Sequence, residues 1–310
     1  MSTQPYRTRI APSPTGFMHI GTARTALFSW LAAKATGGDF VLRIDDTDQE
    51  RNNEAAVQPI LDGLKWLGLN WDEFYRQSER SEAYAIIAQE LVDAGLATIA
   101  ENGATLLALP PELMPRTWRD EVGGEMHVTG DMMKLIDGLP LLRGGDKLGQ
   151  ATYQFASIVD DYAMNISYII RGTDHIANTP KQIAIWEAIN QARIRNNLAS
   201  CPLPKFAHVG LIFANKKKMS KRDGAASLLD YRDRGYDPDA IFNFLLRMGW
   251  GPKEDNKANS VLNRERALTM FLTAGNMRAA NANFDGQKLD WFDRRFKGEK
   301  ARAAAAVKAA

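Results

Sequence analysis

RIAPSPTGFMHIGTARTALF, residues 9–28, decides the fold. Before it, YRTRIA (Tyr6 to Ala11) has the composition of a short strand. Within and after it, Ala23, Ala26, Leu27, Trp30 and Leu31 recur at i, i+3, i+4, i+7 and i+8, the stripe of an amphipathic helix. Gly37-Gly38 closes that helix as a C-cap pair would, and FVLRI (Phe40 to Ile44) reads as a buried strand. Strand, turn, helix and strand make a βαβ unit whose first crossover turn lies where parallel sheets bind ligands. The helix starts at His19-Ile20-Gly21-Thr22. Backbone amides and the positive dipole end there suit a triphosphate, and Gly21 lets a nucleotide approach the backbone.

The 310 residues leave room for one large domain or two or three smaller ones, and an apolar fraction of 45% is ample for a core. The net charge of +2 announces no global nucleic-acid surface, so any such surface must be local. Cys201 is the single cysteine, which excludes an internal disulfide and a cysteine-rich zinc site and points to a reducing, cytoplasmic setting. No stretch approaches the length of a membrane span. MSTQPYRTR has no apolar run after its charges and does not read as a secretory signal. From residue 294 onward Arg294, Arg295, Lys297, Lys300, Arg302 and Lys308 face only Glu299, and they read as a solvated, alanine-rich helix end.

Residues 1–96 read as βαβ followed by helices, with ERSEAYAIIAQELVDAG stopping at Gly95. Residues 97–150 are broken by prolines and glycines and read as an inserted subdomain of short strands and loops. Regular patterning returns at Ala151, where TYQFASIVDD and ISYIIRG read as two strands joined by a turn. NTPKQIAIWEAINQAR then starts a helix with Thr179 as N-cap, Pro180 in the first turn and Gln182 completing a capping box. HVGLIF (His208 to Phe213) is a further buried strand running into the lysine-rich loop ANKKKMSKRDG. DPDAIFNFLLRMGWG opens a helix capped by Asp237, and the remainder is mostly helical. The expected fold is α/β: a Rossmann-like parallel sheet in two halves (1–96 and 151–215), the insertion (97–150), and a lysine loop with a helical region (216–310).

Lys218-Met219-Ser220-Lys221-Arg222 forms a cationic loop able to close over phosphates, with Lys216 and Lys217 beside it as a solvated face. Alone, this loop or the His19-Ile20-Gly21-Thr22 turn is a weak signal. Together they are strong, because APSPTGFMHIGTARTALF, FVLRIDDTD, TYQFASIVDD, IIRGTDHIANTPKQ and KKKMSKRDGA occur in this order. In these blocks the chain resembles the class I aminoacyl-tRNA synthetases, in particular the bacterial-type glutamyl-tRNA synthetases, over residues 6–96 and 151–295.

The resemblance implies activation of glutamate by ATP with Mg²⁺ and transfer of the glutamyl group to the acceptor end of a tRNA; with one cysteine, no protein zinc site is expected. It implies triphosphate contacts from Gly16, His19, Gly21, Lys218, Ser220, Lys221 and Arg222, with His19, Lys218 and Lys221 stabilising charge during catalysis. Asp174 would approach the ATP ribose. Arg9 and Arg171, with Tyr153 beside them, would recognise the glutamate side chain, while Ser13 and Asp45 would hold its ammonium group. Other readings stand next to these. Arg9 and Arg171 also suit surface salt bridges, and Tyr153 also suits a core position. Asp45, Asp46 and Asp48 also suit a metal cluster or an acidic capping loop, with capping the expectation for Asp46 and Asp48. His175 and His208 read as structural, and His127 falls in the unread stretch.

Three departures from the family pattern bear on the acceptor. Aspartate stands at position 45 in RIDDTD where the family usually has glutamate, which pulls the carboxylate back by a methylene. The 97–150 insertion, which in the family handles the tRNA end, is short and without cysteines. The sequence ends soon after FDGQKLDWFDRRF, where longer relatives continue into an anticodon-binding domain; a truncated, anticodon-independent enzyme is expected, with a separate chain as the source of any anticodon reading. Two alternatives remain: a paralogue that glutamylates another acceptor, such as a modified base of an aspartate tRNA, and a non-catalytic RNA-binding regulator that keeps the fold.

Overall fold

A computed structural model of the chain describes residues 4–47, 52–214, 217–218, 227–252 and 261–309. The opening unit consists of β1 (Thr8–Ile10), α1 (Ile20–Lys34) and β2 (Phe40–Ile44). β1 and β2 pair in parallel with Arg9 opposite Val41. Phe40, Leu42 and Ile44 enter one core and Val41 the other, so the strand is buried on both faces and reads as a continuous apolar run. Gly37 ends α1 at φ +72°, and at Gly38 a Cβ would stand 2.0 Å from the Tyr6 carbonyl oxygen.

Further elements extend this unit: α2 (Val57–Trp66), β3 (Glu73–Arg76), α3 (Ser81–Asp93), β4 (Thr117–Asp120), β5 (Gly124–His127), α4 (Tyr153–Ala163), β6 (Tyr168–Gly172), α5 (Thr179–Arg195), β7 (Lys205–Val209), α6 (Pro238–Arg247), α7 (Arg264–Phe271) and α8 (Gly286–Ala309). The central sheet runs β3-β2-β1-β6-β7-β4-β5. Its strands are parallel except β5, which returns antiparallel to β4. The protein is thus α/β, with α1, α6, α7 and α8 on one face and α3, α4 and α5 on the other. Residues 97–150 supply β4 and β5 to this sheet and also a separate antiparallel sheet of Ala97–Ile99, Thr105–Leu107 and Pro140–Leu142.

Three local expectations are corrected. TYQFASIVDD is not a strand; Thr152 caps α4, accepting from the Phe155 N–H, and Phe155, Ile158, Val159 and Tyr162 then meet the core at helical spacing. Thr179 is not an N-cap. It already has helical dihedrals, the side chain of the preceding Asn178 makes no capping bond to the helix, and Gln182 completes no capping box because neither of its side-chain polar atoms finds a partner among the described residues. The Thr179 hydroxyl is taken instead by Arg171. HVGLIF is not one strand: β7 ends at Val209, and Ile212–Ala214 joins Ala282–Asn283 and Lys217–Lys218 in a second sheet. There a Cβ on Gly210 would lie 2.2 Å from the Ala280 carbonyl oxygen.

The expected Asp237 cap is present, its carboxylate accepting from the Asp239 N–H at 2.9 Å. In the basic end segment Lys300 bridges Asp237 and Asp239, which ties α8 to the start of α6. Among the described residues no helix is long and apolar enough to cross a membrane.

Candidate active site

The carboxyl ends of β1, β2 and β6 and the start of α1 surround a cleft of about 320 Å³, the edge at which parallel sheets hold ligands. Arg9, Ser13, His19, Gly21, Asp45, Tyr153, Arg171 and Asp174 all line it, although they come from segments up to 165 residues apart. Gly16 (φ +135°) lines an adjoining hollow with Ser13, His19 and Thr22. Lys218 belongs to the short strand paired with Phe213. Ser220, Lys221, Arg222, Lys216 and Asp48 lie outside the described residues.

His19 caps α1. Its Nδ1 accepts from the backbone N–H groups of Gly21 (3.0 Å) and Thr22 (3.3 Å), which leaves the proton on Nε2, 3.3 Å from the Thr22 hydroxyl. A Cβ on Gly21 would stand 2.9 Å from the His19 ring, so this glycine first of all makes room for the cap.

Behind the cleft lies a buried ionic network that sequence reading did not find. Arg43, on β2, is fully buried; its Nε donates to Asp45 Oδ1 and its Nη1 to Asp161 Oδ1, both at 2.7 Å. Arg9 Nε donates to the Asp161 carboxylate at 3.1 Å. Asp160 accepts from Arg80 Nε (2.5 Å), Gln77 Nε2 (2.9 Å) and Tyr84 OH (2.8 Å). Burial works against the Arg43 charge, yet its three carboxylate neighbours hold its pKa well above the usual guanidinium value. Burial raises Asp45 to about 6 in spite of Arg43, whereas Asp161, between two guanidinia, stays below the ordinary carboxylate value despite its burial. The available signals were an arginine inside an otherwise apolar strand, FVLRI, and a carboxylate pair, Asp160-Asp161, inside an apolar run. Asp46 accepts from the Ser78 N–H and hydroxyl at 2.8 Å and from Arg76, tying β2 to the turn after β3.

Arg171 differs from Arg9. Its Nε donates to His208 Nε2 (3.0 Å) and its Nη2 to Thr179 Oγ1 (2.7 Å), and no carboxylate among the described residues lies within ion-pair distance. Burial lowers its pKa to about 10. Arg171 Nη1 and both Nη groups of Arg9 make no hydrogen bond within the described protein. Tyr153 is 41% exposed, with its hydroxyl 3.4 Å from His175 Nδ1. Burial and the nearby arginines lower His175 to about 4, so the ring is neutral at pH 7.

A largely parallel sheet with a capped helix and two buried arginines at a cleft on its carboxyl edge defines an α/β domain with a ligand-binding edge. A crystal structure of a glutamate tRNA ligase from Elizabethkingia meningosepticum, in complex with its amino acid, superposes with a TM-score of 0.77 at 25% identity, covering 94% of this chain and 70% of that one. The family model "tRNA synthetases class I (E and Q), catalytic domain" matches residues 5–109 and 99–291, and the chain belongs to that family. The glutamate–tRNA ligase of Nitrosospira multiformis is 38% identical over 94% of this chain and 66% of its own length. That of Legionella pneumophila (strain Lens) is 37% identical over 94% and 65%. The chain therefore spans about two thirds of the length of the curated relatives it matches.

Proposed function

We propose that this chain activates glutamate with ATP and transfers the glutamyl group to the 3′ end of a tRNA. One observation carries the reading: two buried arginines with unengaged N–H donors share a cleft with the capped start of α1. A carboxylate side chain calls for planar guanidinium donors, and a triphosphate calls for a helix N-terminus. The names of the relatives and the amino acid held by the Elizabethkingia enzyme support the same assignment.

In this reading Arg9, Arg171 and Tyr153 take the substrate side chain, while Ser13 and Asp45 face its ammonium group. His19, Gly21 and the Gly16 turn take the triphosphate, with Mg²⁺ arriving on ATP as part of the substrate, and Asp174 approaches the ribose. An oxygen of the amino acid's α-carboxylate attacks the α-phosphorus, the bond to pyrophosphate breaks, and a tRNA ribose hydroxyl then displaces AMP from the acyl carbon. No protein nucleophile is required, so the work is positioning and electrostatic stabilisation. Lys218, Ser220, Lys221 and Arg222 supply charge and hydrogen-bond donors for the leaving pyrophosphate, and residues 97–150 and 216–310 meet the acceptor end and stem. The lone Cys201 suits a cytoplasmic setting.

The test is ATP–pyrophosphate exchange driven by glutamate, with and without total tRNA, and with glutamine and aspartate as controls. Exchange restricted to glutamate is expected. Folded protein that exchanges with no amino acid overturns the reading.

A further inference from the structure

Arg171 is held from behind by neutral groups, and the hydrogen bonds that hold it run on across two neighbouring strands of the sheet. His208 Nε2 accepts from Arg171 Nε at 3.0 Å, and His208 Nδ1 stands 2.7 Å from Asp120 Oδ2. The His208 backbone N–H meets the same carboxylate at 3.1 Å, and the N–H groups of Val122 (3.0 Å) and Gly123 (2.7 Å) fix its other oxygen. Asp120, His208 and Arg171 sit on the adjacent strands β4, β7 and β6, and are 2%, 1% and 6% exposed. Asp120 belongs to residues 97–150, whose sequence pattern reads as an inserted subdomain.

We propose that Asp120 and His208 are positioning residues for substrate recognition: they lock the imidazole in the tautomer that accepts from Arg171, so that Arg171 Nη1 is aimed at a substrate carboxylate. The inference rests on the glutamate reading of the cleft. An ionised aspartate only accepts, so the proton between Asp120 and His208 belongs to Nδ1, and Nε2 is left with a lone pair. A guanidinium only donates, so Arg171 and that lone pair match. A carboxylate in the place of His208 would hold Arg171 as firmly but would also neutralise it and compete with the substrate. A neutral imidazole orients the cation and leaves its charge for the ligand.

The arrangement is sensitive to acid. Asp120 and the Trp118 ring face His208 from β4, Arg171 from β6, Asp174 and His175 from the turn Thr173–Asn178, and the Thr179 hydroxyl from α5. Burial lowers the His208 pKa, Arg171 lowers it further, and Asp120 and Asp174 oppose them without prevailing. His208 is therefore neutral at pH 7. Once protonated it loses the lone pair and becomes a cation against Arg171.

Exchange kinetics on H208A, H208Q and D120N, with total tRNA present, test the proposal. H208A is expected to raise the glutamate KM by about tenfold or more, the worth of a charge-assisted hydrogen bond, while kcat and the ATP KM stay within about twofold. Glutamine can accept from Arg171 and donate to Asp120 at once, so H208Q is expected to restore most of the lost affinity. In the unsubstituted protein the glutamate KM rises as the medium becomes acidic, through His208 and through Asp45; H208Q makes that rise smaller by the His208 part, and D120N moves the His208 part to lower pH. An unchanged glutamate KM in H208A, an equal loss in H208A and H208Q, or an acid rise of the same size in H208Q as in the unsubstituted protein overturns the proposal. Nitrogen NMR of the histidine-labelled protein, with His208 assigned by its loss in H208Q, needs no turnover. The Nδ1–H tautomer is expected at pH 7.5, and a protonated ring or an Nε2–H tautomer overturns the positioning role. Should the unsubstituted protein show no exchange with glutamate, the functional reading fails, and the tautomer still decides whether His208 orients Arg171.

Discussion

Arg43 Nε lies 2.7 Å from Asp45 Oδ1, so the carboxylate that follows β2 is engaged by a fully buried cation two residues behind it. Asp45 lines the cleft and belongs to the ionic network at the same time. Arg9, Arg43 and Arg80 balance Asp45, Asp160 and Asp161, three charges of each sign. Such a network is costly to desolvate, and it becomes costlier when one member loses its partner.

Asp45 makes the first prediction. Its pKa in the folded protein, about 6, lies above the unfolded reference of 3.8 because burial outweighs Arg43. The folded state thus holds this proton more tightly, and the associated stability is complete below pH 3.8 and lost as pH rises through 6. Asn at position 45 carries no such dependence. In thermal melts, the stability of D45N relative to the unsubstituted protein is expected to rise between pH 4 and pH 6 and to level off above. A difference that stays flat or falls over that interval refutes the assignment of the raised pKa to Asp45.

The two cleft arginines differ in their attachment to the protein, so their alanine variants should differ in kind. R9A deprives buried Asp161 of one of its two guanidinia; it is expected to lose glutamate-dependent exchange and also about 1–3 kcal/mol of stability, the cost of one lost partner for a carboxylate that Arg43 still holds. R171A removes a cation whose hydrogen bonds among the described residues go to the neutral groups of His208 and Thr179, and should lose exchange at least as completely with less loss of stability than R9A. Urea midpoints beside exchange rates separate the two. Equal destabilisation of both variants contradicts the distinction.

Much of this was legible from residues whose local pattern and tertiary role agree. The helix α1, the apolar run FVLRI and the Asp237-Pro238 cap are short-range signals and each formed, although α1 is buried on most of its sides rather than along the one stripe its pattern implied. TYQFASIVDD failed because its β-branched and aromatic residues favour a strand on composition, while the Thr152 cap and the burial of Asp160 and Asp161 behind the cleft settle it as a helix. Thr179 failed for a related reason: a hydroxyl suited to capping had a stronger partner in Arg171. The cleft residues were found through their motifs. Asp120 and Arg43 were not, since beside their local bonds each depends on a partner more than 80 residues away, His208 for Asp120 and Asp161 for Arg43, that only the fold brings near.

Gly21 separates two roles of the α1 start. An alanine there must displace the His19 ring, which a Cβ would approach to 2.9 Å, and the ring would leave the Gly21 and Thr22 amides it caps. Loss of an N-cap costs about 1 kcal/mol. G21A should therefore melt only slightly earlier but show a strongly raised ATP KM, because both the ring and the amides move. His19→Asn gives the complementary case: asparagine is a good N-cap, so stability should hold while the ring's own contribution is lost. If the ring acts in the reaction, H19N falls in kcat with stability unchanged. If its only role is to cap α1, H19N exchanges at the unsubstituted rate, and the histidine is a structural residue at the edge of a phosphate site formed by the backbone alone.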